Sequence, residues 1–422
     1  MSDTALFVGI DVGTSGVRAI AIDAARAVVA QGAARMDAFG TDHRSPAIWR
    51  AALETAMEGL LQSIDPAAIA ALSVDGTSGT MVPVDGEGRP VGQPMMYNDP
   101  VEDRGVVETI GRIAPETSAA RGANSALARA IVLQDTQGAV RVIHQADWIA
   151  GLFSGRFDTS DENNALKTGY DPVARRWPEW MDGSGIAPEK LPHVREPGTA
   201  TARAGGELAR KFGLREDAAV VAGTTDGCAS FLATGASEPG DGVTALGTTL
   251  TIKLFSDTPV FAPQYGIYSH RLAGGWLAGG ASNTGGNVLA SHFTGDRIAE
   301  LSAGIDPETP TGLDYYPLAR PGERFPVNDP AMAPRMEPRP ADDALFLKAM
   351  LEGIAKVEAL AYARLAELGA PRLTSIRTVG GGASNPVWTA MRTRMLGVGS
   401  KPVLSLEAAY GTALLAMKGA SR

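Results

Sequence analysis

The stretch "LFVGIDVGTSGVRAIAID", Leu6 to Asp23, alternates like a buried strand, interrupts itself with Asp11, Gly13, Thr14, Ser15 and Gly16, and then resumes. Gly and Asp supply turn conformations, so the flanks Leu6 to Ile10 and Val17 to Ile22 read as the paired strands of a tight β-hairpin. An ordinary hairpin accounts for the pattern. Whether the turn also meets a ligand depends on what the rest of the chain supplies.

The chain of 422 residues exceeds what one core usually serves, and two domains are expected. Apolar residues make up 44% and charged residues 20%, with no apolar run of the ~18 residues a membrane span needs and no basic segment before a cleavable apolar stretch. These features predict a soluble globular protein. A net charge of −9 and a pI near 5.2 give no basic stripe, which argues against nucleic acid or an anionic membrane as partner. Cys228 is the only cysteine, so an internal disulfide and a thiolate zinc cluster are excluded and a cytoplasmic location is expected. The five histidines (His43, His144, His193, His270 and His292) lack metal-ligand spacing.

Working outward from the hairpin, "AVVAQGAARM" reads as a third strand. The stretch "PAIWRAALETAMEGLLQSI" reads as a helix, with Ile48, Ala52, Leu53, Ala56, Leu60 and Leu61 at roughly helical spacing. "AALSVDGTSGTMVPVD" returns to strand character around Gly76 to Gly79, and 102–155 is helix-rich. A second α/β block begins where the strand Ala218 to Ala222 runs into Gly223, Thr224, Thr225 and Asp226. "GDGVTALGTTLTIKLF" then echoes the opening, with a turn at Gly247 to Thr249 between alternating strands, and suggests two halves built on one plan. Residues 309–342, rich in Pro and charge, read as a loop excursion over the surface. The longest helix follows, with Phe346, Met350, Ile354, Val357, Ala361, Leu365 and Leu368 on one face and Gly369 as its C-terminal cap.

Four stretches have the small residues that let backbone amides approach a phosphate: Gly13 to Gly16, Gly76 to Gly79, Gly247 to Thr249 and "VGGGASNP", Val379 to Pro386. Each alone also reads as an ordinary turn. None is a Walker loop or a Rossmann fingerprint, so a nucleotide site here is of another kind. Asp11 reads either as a turn former or as a carboxylate beside a divalent metal that bridges phosphates. Asp226 reads either as a helix N-cap or as a general base for phosphoryl transfer. Cys228, Trp148 and Trp388 read as packing residues, and His292 carries little weight.

The opening "GIDVGTSGVRAIAID" resembles the first phosphate motif of the FGGY family of carbohydrate kinases, related to hexokinase, actin and the heat-shock chaperone ATPases. The resemblance continues in family order through "YNDP", "ADWIAGLFSG", "NNALKTGYDP", "AGTTDGCASFLATGA", "GVTALGTT", "LEGIA", "GGGASNPVWTAMRTRMLG" and "EAAYGTALLA". It implies an α/β, two-domain hexokinase/actin-like (ribonuclease H-like) fold with an interdomain cleft. An N-terminal domain over 1–236 would hold the sugar site and first phosphate motif, and a C-terminal domain over 237–422 the second phosphate and adenosine motifs. ATP and Mg²⁺ are the implied cofactors.

By that resemblance Asp226 matches the catalytic base and Asp11 the metal-associated carboxylate. Gly13, Thr14, Ser15 and Arg18 match the first phosphate turn, although Arg18 also reads as a structural ion pair. Gly247, Thr248 and Thr249 match the second phosphate hairpin, and Gly380, Gly381, Gly382 and Asn385 the adenosine-side motif.

The chain departs from the family in being shorter than its typical members. The GQMHG of xylulose kinases is replaced by "GTSGT", Gly76 to Thr80, and the WQDRR-like segment of glycerol kinases by "MYNDPVEDR". "DGTSGT" resembles compact ribulose kinases. This favours D-ribulose as substrate and D-ribulose 5-phosphate as product, with Thr77, Ser78 and Asp99 joining Asp226 as candidate sugar contacts; Thr77 and Ser78 also read as turn residues. Xylulose, ribitol or another polyol remains an alternative acceptor, as does an ATP-binding switch that phosphorylates no sugar. Kinases of this fold often dimerise, which leaves a homodimer open.

Overall fold

Leu6–Val12 and Gly16–Ile22 pair antiparallel, from Phe7 opposite Ile22 to Val12 opposite Val17. In the computed structural model, which describes residues 5–421, this hairpin opens the first of two compact units. That unit comprises Met1–Ala233, His270–Ala273 and Ser405–Arg422; the second comprises Thr234–Ser269 and Gly274–Leu404.

The first unit is built on a sheet ordered Val28–Arg35, Gly16–Ile22, Leu6–Val12, Ile69–Gly76, Ala219–Thr225 and Ala200–Arg203. Leu6–Val12, Ile69–Gly76 and Ala219–Thr225 run parallel. Every residue of Leu6–Val12 is buried, as expected for a strand covered on both faces. On one side Pro46–Leu61 packs through Trp49, Leu53, Ala56, Met57 and Leu60 onto Val17, Ala19 and Leu72 in a common core. On the other the last helix, Ala408–Ala420, packs Ala409, Tyr410, Ala413 and Ala416 among Phe7, Ile20, Ala71 and Val221.

That last contact depends on missing side chains. A Cβ on Gly9 would lie 2.0 Å from the carbonyl oxygen of Ala409 and 2.2 Å from the amide of Ala413. A Cβ on Gly411 would lie 2.0 Å from the carbonyl oxygen of Ala229, in the helix Asp226–Ala233. Backbone thus meets backbone, and the last helix fixes both the opening strand and the helix that starts at Asp226.

One expectation needs correction here. The strand expected to end at Ala222 continues to Thr225, through a register shift between Val221 and Thr224. Gly223 makes this possible, since a Cβ there would sit 1.7 Å from the carbonyl oxygen of Val74. The region 102–155, helix-rich as expected through Arg104–Ile113, Ala126–Leu133 and Gln145–Ser154, also contains the strand Arg141–His144, which pairs antiparallel with Met81–Val84.

The second unit carries, in order, Gly275–Ala281, Leu250–Ser256, Asp241–Leu246, Ser375–Val379 and Gly399–Ser400. Its hairpin closes at Leu246 opposite Leu250, and Asp241–Leu246 runs parallel to Ser375–Val379, repeating the plan of the first unit. Asp343–Glu367 is the long helix, and Gly369 follows its end with φ +102°. The segment 309–342 is a loop without helix or strand, as expected, but it anchors itself by burying Tyr315, Tyr316, Leu318 and Phe325 in the second core. The side chain of Glu323 makes this burial tolerable by accepting bonds from Asn283 N (2.8 Å), Tyr316 Oη (2.9 Å) and Arg324 N (2.9 Å).

Among the described residues no helix is long and apolar enough to cross a membrane. Gly9→Ala is expected to destabilise the protein by about 2–3 kcal/mol, because the added methyl pushes the last helix off the sheet. A chemical-denaturation midpoint unchanged by this substitution would contradict the close approach.

Candidate functional site

In the first unit, parallel pairing places Asp11 directly opposite Asp75, and the hairpin places Arg18 on Asp11's other flank. Both carboxyl groups are buried and hydrogen-bond to each other. Burial pushes Asp11 up to about 6, with the charge of Asp226 adding to the effect and the bond to Asp75 opposing it. Burial and then the charge of Asp11 push Asp75 well above the ordinary carboxylate range. The hydroxyl of Thr412, on the last helix, donates to Asp75 Oδ2, while Oδ1 has no donor from the protein. Two acceptors side by side favour a shared proton or a cation between them, which is the direction in which burial pushes both groups.

Asp226 follows the strand Ala219–Thr225 and is the first residue of its helix. Its Oδ1 accepts from the amide of Gly227 at 2.6 Å, so it does serve the helix start, while its charge acts on Asp11 and Asp75. Three carboxylates thereby gather where three parallel strands end. The signal for Asp75 lay in its pairing register, which the sequence alone does not display.

Gly13 closes its turn by donating to the carbonyl of Gly16 (3.0 Å), and Thr14 and Ser15 are exposed. Arg18 pairs with Glu407 (Nε to Oε2, 3.1 Å) and reaches Asp11 at 4.0 Å, as the ion-pair reading expects. Thr77 is buried, its hydroxyl 2.6 Å from that of Thr80 and donating to Gln145 Oε1 at 2.8 Å. The hydroxyl of Ser78, in contrast, is buried with no protein partner. Asp99 is held by a bidentate pair with Arg44 (3.0 and 2.7 Å) and by the amide of Met96 (2.8 Å). These donors keep its carboxyl below the ordinary range, the Arg44 bond being the largest effect. Arg129, unremarked in the sequence, is buried and donates to the carbonyls of Asp99 (2.9 Å), Gly79 (3.0 Å) and Tyr97. It ties the 77–80 turn to the 97–99 segment.

The second unit contains a largely apolar cavity of about 970 Å³, with Gly247, Thr248, Gly381, Gly382 and Asn385 among its lining residues. Thr249 and Gly380 stand just outside that lining. Gly380 turns the chain at φ +87°, against the carbonyl oxygen of Leu246. Asn385 caps the helix Pro386–Leu396 by accepting from Trp388 N (3.1 Å), and its amide donates to Ser302 Oγ (2.9 Å). Asn287, also missed by sequence reading, lines the cavity with a buried Oδ1 that has no protein donor. Its own amide donates to the carbonyl of Thr248 (3.0 Å). A cavity of this size with an unused acceptor suits a purine nucleoside, whose exocyclic amine is a donor.

The donor set bears on a metal as well. Among the described residues no group of three or more His, Cys, Asp or Glu is arranged to hold an ion. One carboxylate of the Asp11–Asp75 pair would suit a hard cation, which takes oxygen ligands. Trp148 and Trp388 are buried, as packing residues should be, and His292 packs edge-on against Phe346.

Residues 6–233 match the N-terminal domain of the FGGY family of carbohydrate kinases, and residues 242–420 match its C-terminal domain. The chain belongs to the FGGY family of carbohydrate kinases. It is similar to the xylulose kinase of Lactococcus lactis subsp. lactis, 24% identical over 405 residues that cover 90% of this chain and 80% of that one. An autoinducer-2 kinase of Yersinia enterocolitica is 26% identical over 299 residues, 65% of this chain but only 56% of the relative's length. The crystal structure of xylulose kinase from Rhodospirillum rubrum superposes with a TM-score of 0.82 at 21% identity, covering 98% of this chain and 90% of that one. The FGGY chain thus has the two-domain hexokinase/actin-like α/β fold expected from its sequence.

The buried carboxyl pair carries a stability consequence. Asp11 binds its proton more tightly folded than unfolded, so its contribution is fully present below the unfolded value of 3.8 and is lost as pH rises through about 6. Asp11→Asn is therefore expected to gain stability relative to the native protein as pH rises from 4 to 7, on the order of 2 kcal/mol at pH 7. Paired denaturation curves across that range check it; a difference that does not vary with pH would contradict the buried pair.

Proposed function

We propose that the protein transfers the γ-phosphoryl group of ATP to the terminal primary hydroxyl of a ketopentose, D-ribulose, giving D-ribulose 5-phosphate and ADP. The observation that carries this reading is the meeting of Asp226 with Asp11 and Asp75 at the ends of three parallel strands. Open α/β sheets bind ligands at such ends.

Asp226 accepts the hydroxyl proton as the sugar oxygen attacks the γ-phosphorus; the new P–O bond forms, the β–γ bridge breaks, and ADP leaves with the bridging oxygen. Thr14, Ser15 and the amides around Gly13 receive phosphate oxygens on the first turn, and Gly247, Thr248 and Thr249 do so on the second. Arg18 adds a positive charge on the first-turn side. Asp11 is the residue to hold Mg²⁺, which when bound neutralises phosphate charge. Gly380, Gly381, Gly382 and Asn385 shape the adenosine side. In this division 1–236 supplies the sugar groups and first phosphate turn, and 237–422 the second turn and nucleoside cavity. ATP as donor places the reaction in the cytoplasm.

For the sugar, "GTSGT" at 76–80 favours D-ribulose, with Ser78 presenting the hydroxyl that has no protein partner. Thr77 acts by shaping that turn, and Asp99 reaches the sugar only by sharing its Arg44 pair. Similarity to the Lactococcus protein favours xylulose as the second reading.

ADP release should be measured with ATP and Mg²⁺ against D-ribulose, L-ribulose, D-xylulose, ribitol, glycerol, autoinducer-2 and no acceptor. Strongest stimulation by D-ribulose is expected; strongest stimulation by another acceptor discards the substrate, and indifference to all of them discards sugar transfer. Asp226→Asn is expected to lower turnover by ~10²-fold or more with the thermal transition preserved. Near-normal turnover in that variant would remove Asp226 from the role of base.

A further inference from the structure

One buried carboxylate in the second unit ties four elements together. Glu358, on the helix Asp343–Glu367, accepts from Arg392 through two bonds of 2.6 Å, Nε to Oε2 and Nη2 to Oε1. The hydroxyl of Thr244, on the strand Asp241–Leu246, donates to Oε1 at 2.6 Å. Its one proton is thereby used, so the Tyr362 hydroxyl, 3.0 Å away, donates to Thr244 Oγ1. Burial and then the charge of Glu358 hold that phenol above its ordinary range, in keeping with a donor. Arg392 spends its third nitrogen, Nη1, on Thr378 Oγ1 (2.8 Å), in the strand Ser375–Val379. Thr244 and Thr378 stand opposite each other in the parallel ladder.

Three of these elements run into the lining of the large cavity. Three residues after Thr244 comes Gly247, followed by Thr248, and two after Thr378 comes Gly380, which leads to Gly381 and Gly382. Arg392 lies one turn along its helix from Trp388, and Asn385 caps that helix. The fourth element, the helix of Glu358, receives Trp388 as well, whose Nε1 donates to the carbonyl of Leu351 (3.2 Å). Glycine turns carry no side chains that could fix them against one another, so their spacing is set by what holds the strands and the helix behind them.

We propose that Glu358 is a positioning residue for the nucleotide: by holding Arg392 and Thr244, and Thr378 through Arg392, it fixes the second phosphate turn, the Gly380–Gly382 turn and the helix capped by Asn385 in the spacing that binds the nucleoside. The inference rests on the reading of this cavity as the nucleoside side of the ATP site. The chemistry of the pair suits the task. A bidentate guanidinium–carboxylate contact is fixed in direction as well as distance, which apolar packing is not. Buried ion pairs can often be replaced by apolar side chains without loss of stability, so stability alone is a weak account of Glu358 and Arg392. A site that must hold its groups within about half an ångström uses their directionality. At the other end of the strand Asp241–Leu246, remote from the turn, Asp241 meets Lys401 (3.0 Å) and Arg377 (3.2 Å), which gives a comparison within the same strand.

The test uses the full chain, with calorimetric titration of ADP and with KM for ATP and for the acceptor that stimulates turnover most. Thr244→Val and Thr378→Val each remove one bond of the network at nearly constant volume. Each is expected to weaken ADP binding and raise KM for ATP by ~3–10-fold, the scale of one hydrogen bond, while KM for the acceptor stays within about 2-fold. Thr378→Ser keeps the hydroxyl and is expected to restore most of the loss. Glu358→Gln removes the charge that Arg392 meets and is expected to weaken ADP binding by ~10-fold or more; should it not fold, the threonine variants carry the test. Lys401→Met, at the remote end of the strand, is expected to bind ADP as the native protein does, whatever its thermal midpoint. Native ADP affinity in both valine variants overturns the inference. A loss in Lys401→Met equal to theirs, or a Thr378→Ser as impaired as Thr378→Val, overturns it too. Native protein that binds no ADP would defeat the reading of the cavity itself, whereas ADP bound equally by the native protein and both valine variants would defeat only the role of Glu358.

Discussion

Backbone meeting backbone without side chains between is the constraint on which the first unit depends. Gly9 lets the opening strand touch the last helix, Gly411 lets that helix touch Asp226–Ala233, and Gly223 lets Ala219–Thr225 cross close over Val74. Close approach of this kind leaves little freedom for an element to slide, since packed interiors resist even a methylene of change. Asp11, Asp75 and Asp226 each stand at the end of an element held this way. Their grouping follows from how far the strands run and how closely they pack, and Thr412 joins the last helix to the same group by its bond to Asp75.

Both units bury paired charge, as Glu162 with Arg175 (2.7 Å) shows in the first. In the second, Glu358 receives Arg392 through two 2.6 Å bonds and Thr244 through another at 2.6 Å, while Arg392 also donates to Thr378 at 2.8 Å. Asp241 is met by Arg377 (3.2 Å) and Lys401 (3.0 Å), and its carboxyl is held far below the ordinary range. Pairing of this kind is the condition for burying charge at all. In the first unit Asp75 Oδ1 and Ser78 Oγ have no protein donor or acceptor. Folded proteins leave few such atoms, and each calls for a partner that the chain itself does not supply.

The sequence displayed the hairpin, the long helix and the four glycine turns because each rests on local chemistry: turn residues between alternating strands, helical spacing, a capping glycine. It also displayed Asp11 and Asp226, which stand beside those turns. Asp75 was hidden, since its importance comes from lying opposite Asp11 in a parallel ladder, a fact of register rather than of spacing. Arg129 was hidden because its three acceptors are backbone carbonyls with no residue signature. The anchoring residues within the loop 309–342 were hidden for a related reason: Pro and charge dominate the segment, while Glu323 finds its donors in Asn283 and Tyr316. The return of Ala408–Ala420 to the first unit follows from small residues at Gly411, Ala409 and Ala413, which spacing alone does not assign to a partner.

The turn at 77–80 shows why substrate choice is harder to read than mechanism. Phosphoryl transfer needs a positioned nucleophile and charge stabilisation, which few residue types can supply. Discrimination among pentoses comes from where a few hydroxyl partners stand, and a site that leaves a buried polar group unpaired rejects the wrong sugar strongly. Here Thr77 and Thr80 are bonded to each other, Gln145 receives Thr77, and Arg129 holds the backbone on both sides. The turn is thus rigid around a single hydroxyl, that of Ser78. On the proposed reading, in which the sugar meets Ser78, an acceptor that satisfies this hydroxyl would gain a hydrogen bond with little ordering left to do, and one that cannot would leave the serine unpaired, a difference of about 1–3 kcal/mol.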